Sequence, residues 1–204
     1  MFKSLRKIIF SKLLQVAETE NHEKDTAVVD VSSTTICQSR IDAGEKAEVL
    51  FFNQAREHGL LAEHLDQSRE TFHYYQEKNL NQTVKRADFY IPELSKKVQI
   101  EVKCFSIFWK KELGKSVPCY SLKYEHFKKH EGMIDTLKLD DLIYAFYERD
   151  KDEPKKGSLR MIAHTQIGVL NKGNEVDIYN KDTKNFDIPL GLMKRSFDLI
   201  DDYR

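Results

Sequence analysis

Glu101, Val102 and Lys103 put a carboxylate and an ammonium two residues apart inside the apolar alternation VQIEVKC, residues 98–104. Residues i and i+2 of an extended strand share a face, so Glu101 and Lys103 stand side by side. Gln99 joins them, while Val98, Ile100 and Val102 point the other way. Asp88 lies in the preceding run RADFYI, residues 86–91. PELSKK separates the two runs with proline and polar turn chemistry, so Arg86–Cys104 reads as a β-hairpin. If the register allows, Asp88 reaches the face of Glu101. Carboxylates beside an ammonium can hold a cation and steady developing charge. A solvated cross-strand ion pair is the competing use of the same residues.

Acid-x-Lys also occurs at Glu153-Pro154-Lys155 and Asp182-Thr183-Lys184, in polar, turn-like sequence. Only Glu101-Val102-Lys103 lies within an apolar strand pattern. The elements around it must position it. Residues 42–59, DAGEKAEVLFFNQAREHG, predict a helix. Asp42 is its N-cap with Glu45 as the capping-box partner, and Gly59 is its stop. Ala47, Leu50, Phe51 and Ala55 form the buried stripe. Glu48 stands at the edge of that stripe, where a half-buried carboxylate requires a partner.

Further along, residues 70–77 read as an aromatic strand and 79–82 as a turn. Phe105–Pro118 is a basic, aromatic excursion, and Tyr120–Glu131 a helix capped by Ser121. Asp141–Glu148 is a buried-type strand, 150–156 a charged turn and Leu159–Gly168 another strand. A hairpin over Val169–Tyr179, turning through 172–174, and a closing helix over Met193–Asp202 complete the chain. The fold class expected is α/β, a mixed central sheet flanked by helices, with extra C-terminal strands.

Asp88 followed by Glu101-x-Lys103 on paired strands resembles the PD-(D/E)xK, or restriction-endonuclease-like, nuclease superfamily. Ala87 replaces the proline of that motif. The element order helix, strand, strand, strand, helix, strand over about residues 42–148 is similar to the family's αβββαβ core. The pattern G-E-x-A-E at 44–48, with H-G-L at 58–60, resembles the first helix of its junction-resolvase-like members. The resemblance implies a magnesium-dependent deoxyribonuclease, an endonuclease more than an exonuclease, with Mn²⁺ as an alternative ion. It implies Asp88 and Glu101 as metal ligands, Glu48 as a third ligand directly or through water, and Lys103 orienting the attacking water. Two readings compete: a nuclease-fold module that binds DNA without cutting, and an unrelated α/β interaction protein.

Within the excursion, Trp109, Lys110, Lys111 and Lys115 combine an aromatic with cations, which suits phosphate contact and base stacking. Lys123, on the following helix, adds to that face; Trp109 tucked into the core is the alternative. His126 and His130 have zinc-ligand spacing but no third ligand nearby. Thirty-three basic and 33 acidic residues cancel, so DNA binding must rest on local patches. Cys37, Cys104 and Cys119 show no CxxC spacing and read as reduced thiols of a cytoplasmic protein. No run reaches transmembrane length. Residues 1–40 are expected to be a basic amphipathic helix, which can dock a protein partner, and a polar linker. Residues 41–204 are expected to be the nuclease-like domain, which can act as a homodimer.

Overall fold

The structure is a computed structural model that describes residues 31–65, 86–112, 115–172 and 178–204, the side chains of 31–38 and 112 excepted. The expected helix within 1–20, the strand 70–77 and the turn 79–82 lie outside the described residues, as do positions 173 and 174 of the 172–174 hairpin. The chain divides into two units, Met1–Thr35 and Ile36–Arg204. Of the first, only the opening residues of a helix are described. The second is a mixed α/β unit with a mixed central sheet.

Helix α1, Val31–Glu57, begins eleven residues before Asp42. Asp42 and Glu45 are therefore interior residues, not a capping box. No proline or glycine precedes Asp42 within the helix, so nothing breaks the ladder there. Ser39 donates to Asp152 Oδ1, and Lys46 Nζ pairs with Glu153 Oε1 at 3.2 Å, which ties this end of α1 down. Residues 31–40 are accordingly helical rather than linker. The helix ends as its glycine requires: Gly59 has φ +76°, and the Leu60 amide donates back to Ala55 O at 2.8 Å, a Schellman closure.

The central sheet runs β1 (Glu63–His64), β2 (Phe89–Tyr90), β3 (Val98–Phe105), β6 (Asp141–Asp150), β8 (Arg160–Ala163), β11 (Lys194–Arg195). The two-residue β7, Glu153–Pro154, pairs with β6. The hairpin β2–β3 is antiparallel. β3 and β6 are parallel, so their connection must cross over the sheet. It does so through β4 (Phe108–Glu112), β5 (Lys115–Lys123) and helix α2 (Tyr124–Leu137). The excursion is thus a β-hairpin. Tyr120 to Lys123 belong to β5, so Ser121 does not cap α2. A second sheet, β4-β5-β10-β9, is completed by β9 (Tyr179–Asn180) and β10 (Asn185–Pro189).

Val98, Ile100 and Val102 bury against one core with Ala47, Phe51 and Ala55 of α1. Phe51 lies 5.1 Å from Phe89 and 5.6 Å from Phe197, ring centre to ring centre. Burying such a side chain stabilises the fold by about 2–3 kcal/mol. The opposite face packs Leu142, Tyr144 and Phe146 against Phe127 and Met133 of α2. The expected strand Leu159–Gly168 stops at Ala163. His164 starts helix α3 (His164–Lys172), so the expected hairpin limb from Val169 to Lys172 is helical. The closing helix shrinks to α4, Asp198–Asp201. Among the described residues no helix is long and apolar enough to cross a membrane.

Candidate active site

Phe89 pairs with Ile100, and Tyr90 with Gln99; Asp88 lies in a bend one residue before the paired stretch. Alternation along β3 sets Gln99, Glu101 and Lys103 on the face that α2 covers, and the Asp88 side chain reaches β3 at Val102, between Glu101 and Lys103. The Asp88 amide donates to Ile100 O at 2.9 Å. Its carboxylate Oδ2 accepts the Val102 N–H at 2.6 Å, which fixes the side chain against β3.

Glu101 is fully buried and Lys103 is 14% exposed. A carboxylate so placed costs several kcal/mol unless charge and hydrogen bonds compensate it. Lys103 Nζ donates to Glu101 Oε1 and, at 3.2 Å, to Val102 O. His130, also fully buried, brings its Nε2 to 3.6 Å from Glu101 Oε2. The other ring nitrogen of His130 lies 3.0 Å from the Tyr144 hydroxyl, which is 3.2 Å from His164 Nδ1. Tyr144 is adjacent to Glu101 in the β3–β6 register. A polar chain Lys103–Glu101–His130–Tyr144–His164 thus crosses the sheet beneath α2. Burial, then the charge of His130, lowers the His164 pKa to about 4. Burial, with Glu101 and Asp141, raises that of Tyr144.

Glu48 is on α1, whose stripe covers the other face. Its Oε2 lies 3.1 Å from His64 Nε2 on the edge strand β1. The His64 ring stands edge-on to Phe89 at 5.0 Å, and the Leu65 amide donates to Asp88 O at 2.9 Å. The Glu48 hydrogen bond, with help from the Glu48 and Asp88 charges, raises the His64 pKa above 6.5 despite partial burial. Glu48 therefore meets the edge strand through His64, on which the Asp88 charge also acts. Among the described residues no three His, Cys, Asp or Glu side chains form a group that could hold a metal ion.

The expected nucleic-acid residues divide by strand face. Trp109 is 65% exposed, which removes the core reading. It pairs with Pro118, and Lys111 shares its face. Lys110 points the other way, with Lys115 opposite Glu112. Lys123 is exposed where β5 meets α2.

His64, His130, Tyr144 and His164 carry no motif of their own. The sequence shows His130 in the His126/His130 spacing, for which it offers no third zinc ligand; in the structure the His130 ring turns to Glu101 and Tyr144. Comparison with known proteins finds no matching family model, no matching curated protein and no matching solved structure.

Proposed function

We propose that the chain is a metal-dependent nuclease of the PD-(D/E)xK type that hydrolyses DNA phosphodiester bonds, acting as an endonuclease. The observation that carries this reading is the Asp88 carboxylate held on the Val102 amide, between Glu101 and Lys103, whose side chains pair with each other. Mg²⁺ is commonly held by one or two carboxylates plus substrate phosphates rather than an all-protein cage. A two-acid pair therefore fits it, or Mn²⁺, without a third protein ligand. Asp88 and Glu101 would hold the ion, which when bound polarises the phosphodiester and acidifies a water. Glu48, through His64, adds negative charge at the sheet edge.

Lys103 is the member of the Glu101 cluster nearest solvent among those paired with it. It neutralises Glu101 here and would orient water and counter phosphorane charge with substrate bound. Trp109 and Lys111, on one face of the hairpin that continues β3, supply stacking and phosphate contact. The antiparallel pair followed by a helical crossover to a parallel strand supports the fold reading, with β4–β5 inserted before α2. A homodimer would allow cleavage of both duplex strands.

A second reading, a nuclease-fold module that binds DNA without cutting, is favoured by the complete burial of Glu101 and the Lys103 ammonium on it. Incubation with plasmid, single-stranded and branched DNA under Mg²⁺ or Mn²⁺ separates the two. Metal-dependent strand scission is expected; binding with no scission on any substrate selects the second reading.

A further inference from the structure

A cavity of about 220 Å³ opens beside the second sheet, walled by Tyr120, Glu148, Lys155, Lys156, Ser158 and Arg160. In the β3–β6 register Glu148 is opposite Phe105, two residues beyond Lys103. The cavity therefore opens near the carboxyl ends of the parallel pair, where α/β sheets usually receive ligands. Its far wall includes Ile107, on the stretch that leads into β4 and Trp109.

The cationic wall is a built turn. The Lys155 amide donates to Glu148 O at 2.7 Å, and the Ser158 amide donates to Lys155 O at 3.2 Å. Gly157 takes φ +76°, the position a type II turn reserves for glycine. Ser158 Oγ donates to Lys155 O at 2.6 Å and accepts the Glu148 amide at 2.9 Å. The turn thus holds Lys155 and Lys156 at the mouth, with Arg160 behind them on β8. Lys155 Nζ is paired with Glu148 Oε2 at 3.1 Å, which leaves two cations uncompensated by that carboxylate.

Tyr120 supplies the second, independent observation. It is 0% exposed, and its hydroxyl has no hydrogen-bond partner among the described residues. Tyr120 lines the cavity together with Glu148 and Arg160, whose charges act on its hydroxyl. A buried O–H donor without an acceptor costs about 1–3 kcal/mol. Lysine, arginine and a hydroxyl donor around so small a space match one tetrahedral anion.

We propose that this crevice is a phosphate subsite that takes a phosphate of the nucleic-acid strand on its way to Lys103. The assignment of the strand rests on the nuclease reading; the phosphate chemistry does not. Phe105 lies about 7 Å beyond Lys103 along β3, about two nucleotide steps of stacked strand. Free phosphate has the same chemistry, and the test separates the two sources.

Anisotropy of a short labelled single strand is measured in EDTA, so that no cleavage intervenes. Inorganic phosphate is titrated separately by thermal shift. Wild type is compared with Tyr120→Phe and with Lys156→Ala/Arg160→Ala. The double variant is expected to bind the strand about tenfold more weakly, with a salt slope shallower by about 0.7, the value for one phosphate of a single strand. Tyr120→Phe is expected to weaken binding about threefold while melting no lower than wild type, since removing an unmet buried hydroxyl is neutral or stabilising. A merely structural tyrosine would leave binding unchanged. Unaltered strand affinity in both variants overturns the strand assignment. If phosphate then raises only the wild-type melting temperature, the crevice takes the free ion; if it raises none, the phosphate site itself is overturned. Weaker binding by the variants with no cleavage by wild type retains the crevice and removes the nuclease reading. Cleavage with unaltered binding does the reverse.

Discussion

His130 Nε2 lies 3.6 Å from Glu101 Oε2, with both side chains fully buried. Twenty-nine residues apart in sequence, they meet because α2 lies across the face that β3 presents. The carboxylate has an ammonium on one side and an imidazole on the other.

Replacing His130 with alanine should therefore destabilise the fold by about 3 kcal/mol, because a buried charge loses a polar neighbour and a cavity opens. His130→Gln, which keeps a donor in place, should lose less than half as much. Urea unfolding of the two variants measures the difference. Equal losses would reduce His130 to packing alone.

His164 gives a pH dependence with a definite sign. Its folded pKa is about 4, below the ordinary 6.5, so the unfolded chain takes up the proton first. This contribution is full above about pH 6.5 and is lost as pH falls towards 4, by about 3 kcal/mol at most. Unfolding curves between pH 7 and 4 should show the loss, and His164→Gln should flatten it. A titration midpoint for His164 near 6.5 by NMR would contradict the burial argument.

Trp109 is the single tryptophan of the chain, so its fluorescence reports on the hairpin alone. Single-stranded oligonucleotide should quench it by stacking. Trp109→Ala should weaken binding by about 1–3 kcal/mol and change stability by no more than about 0.5 kcal/mol, the usual range for an exposed position. Binding without quenching would move the nucleic-acid face elsewhere.

Lys111 shares the Trp109 face and Lys110 does not. Charge reversal at Lys111 should lower affinity and reduce the salt slope by about 1, with a smaller effect from Lys110. Equal effects would mean that the face distinction does not govern binding.

The hairpin around Asp88 and Glu101 was legible because strand alternation has a period of two and PELSKK breaks it at one place. The stop at Gly59 was legible for a similarly local reason. The start of α1 was not. Asp42 with Glu45 has the form of a capping box, while VSSTTICQSR before it carries β-branched and hydroxyl residues that favour other states. The contacts of Ser39 and Lys46 with Asp152 and Glu153 that hold this part of the helix are more than 100 residues away in sequence. MIAH had no helix signal at its end, because a short apolar run does not declare its period. The acidic residues of the candidate site could be found by spacing. His64 and His130 could not, since the placement of β1 beside β2 and of α2 over β3 is a tertiary fact.

The central claim is that Asp88, Glu101 and Lys103 act together on a phosphodiester. Cleavage of plasmid DNA in Mg²⁺ by wild type and by Lys103→Ala, both shown folded by their melting curves, tests it most directly. Wild type should cut only with the metal present, and the variant should be slower by at least about a hundredfold. Equal cutting by the two proteins would contradict the account.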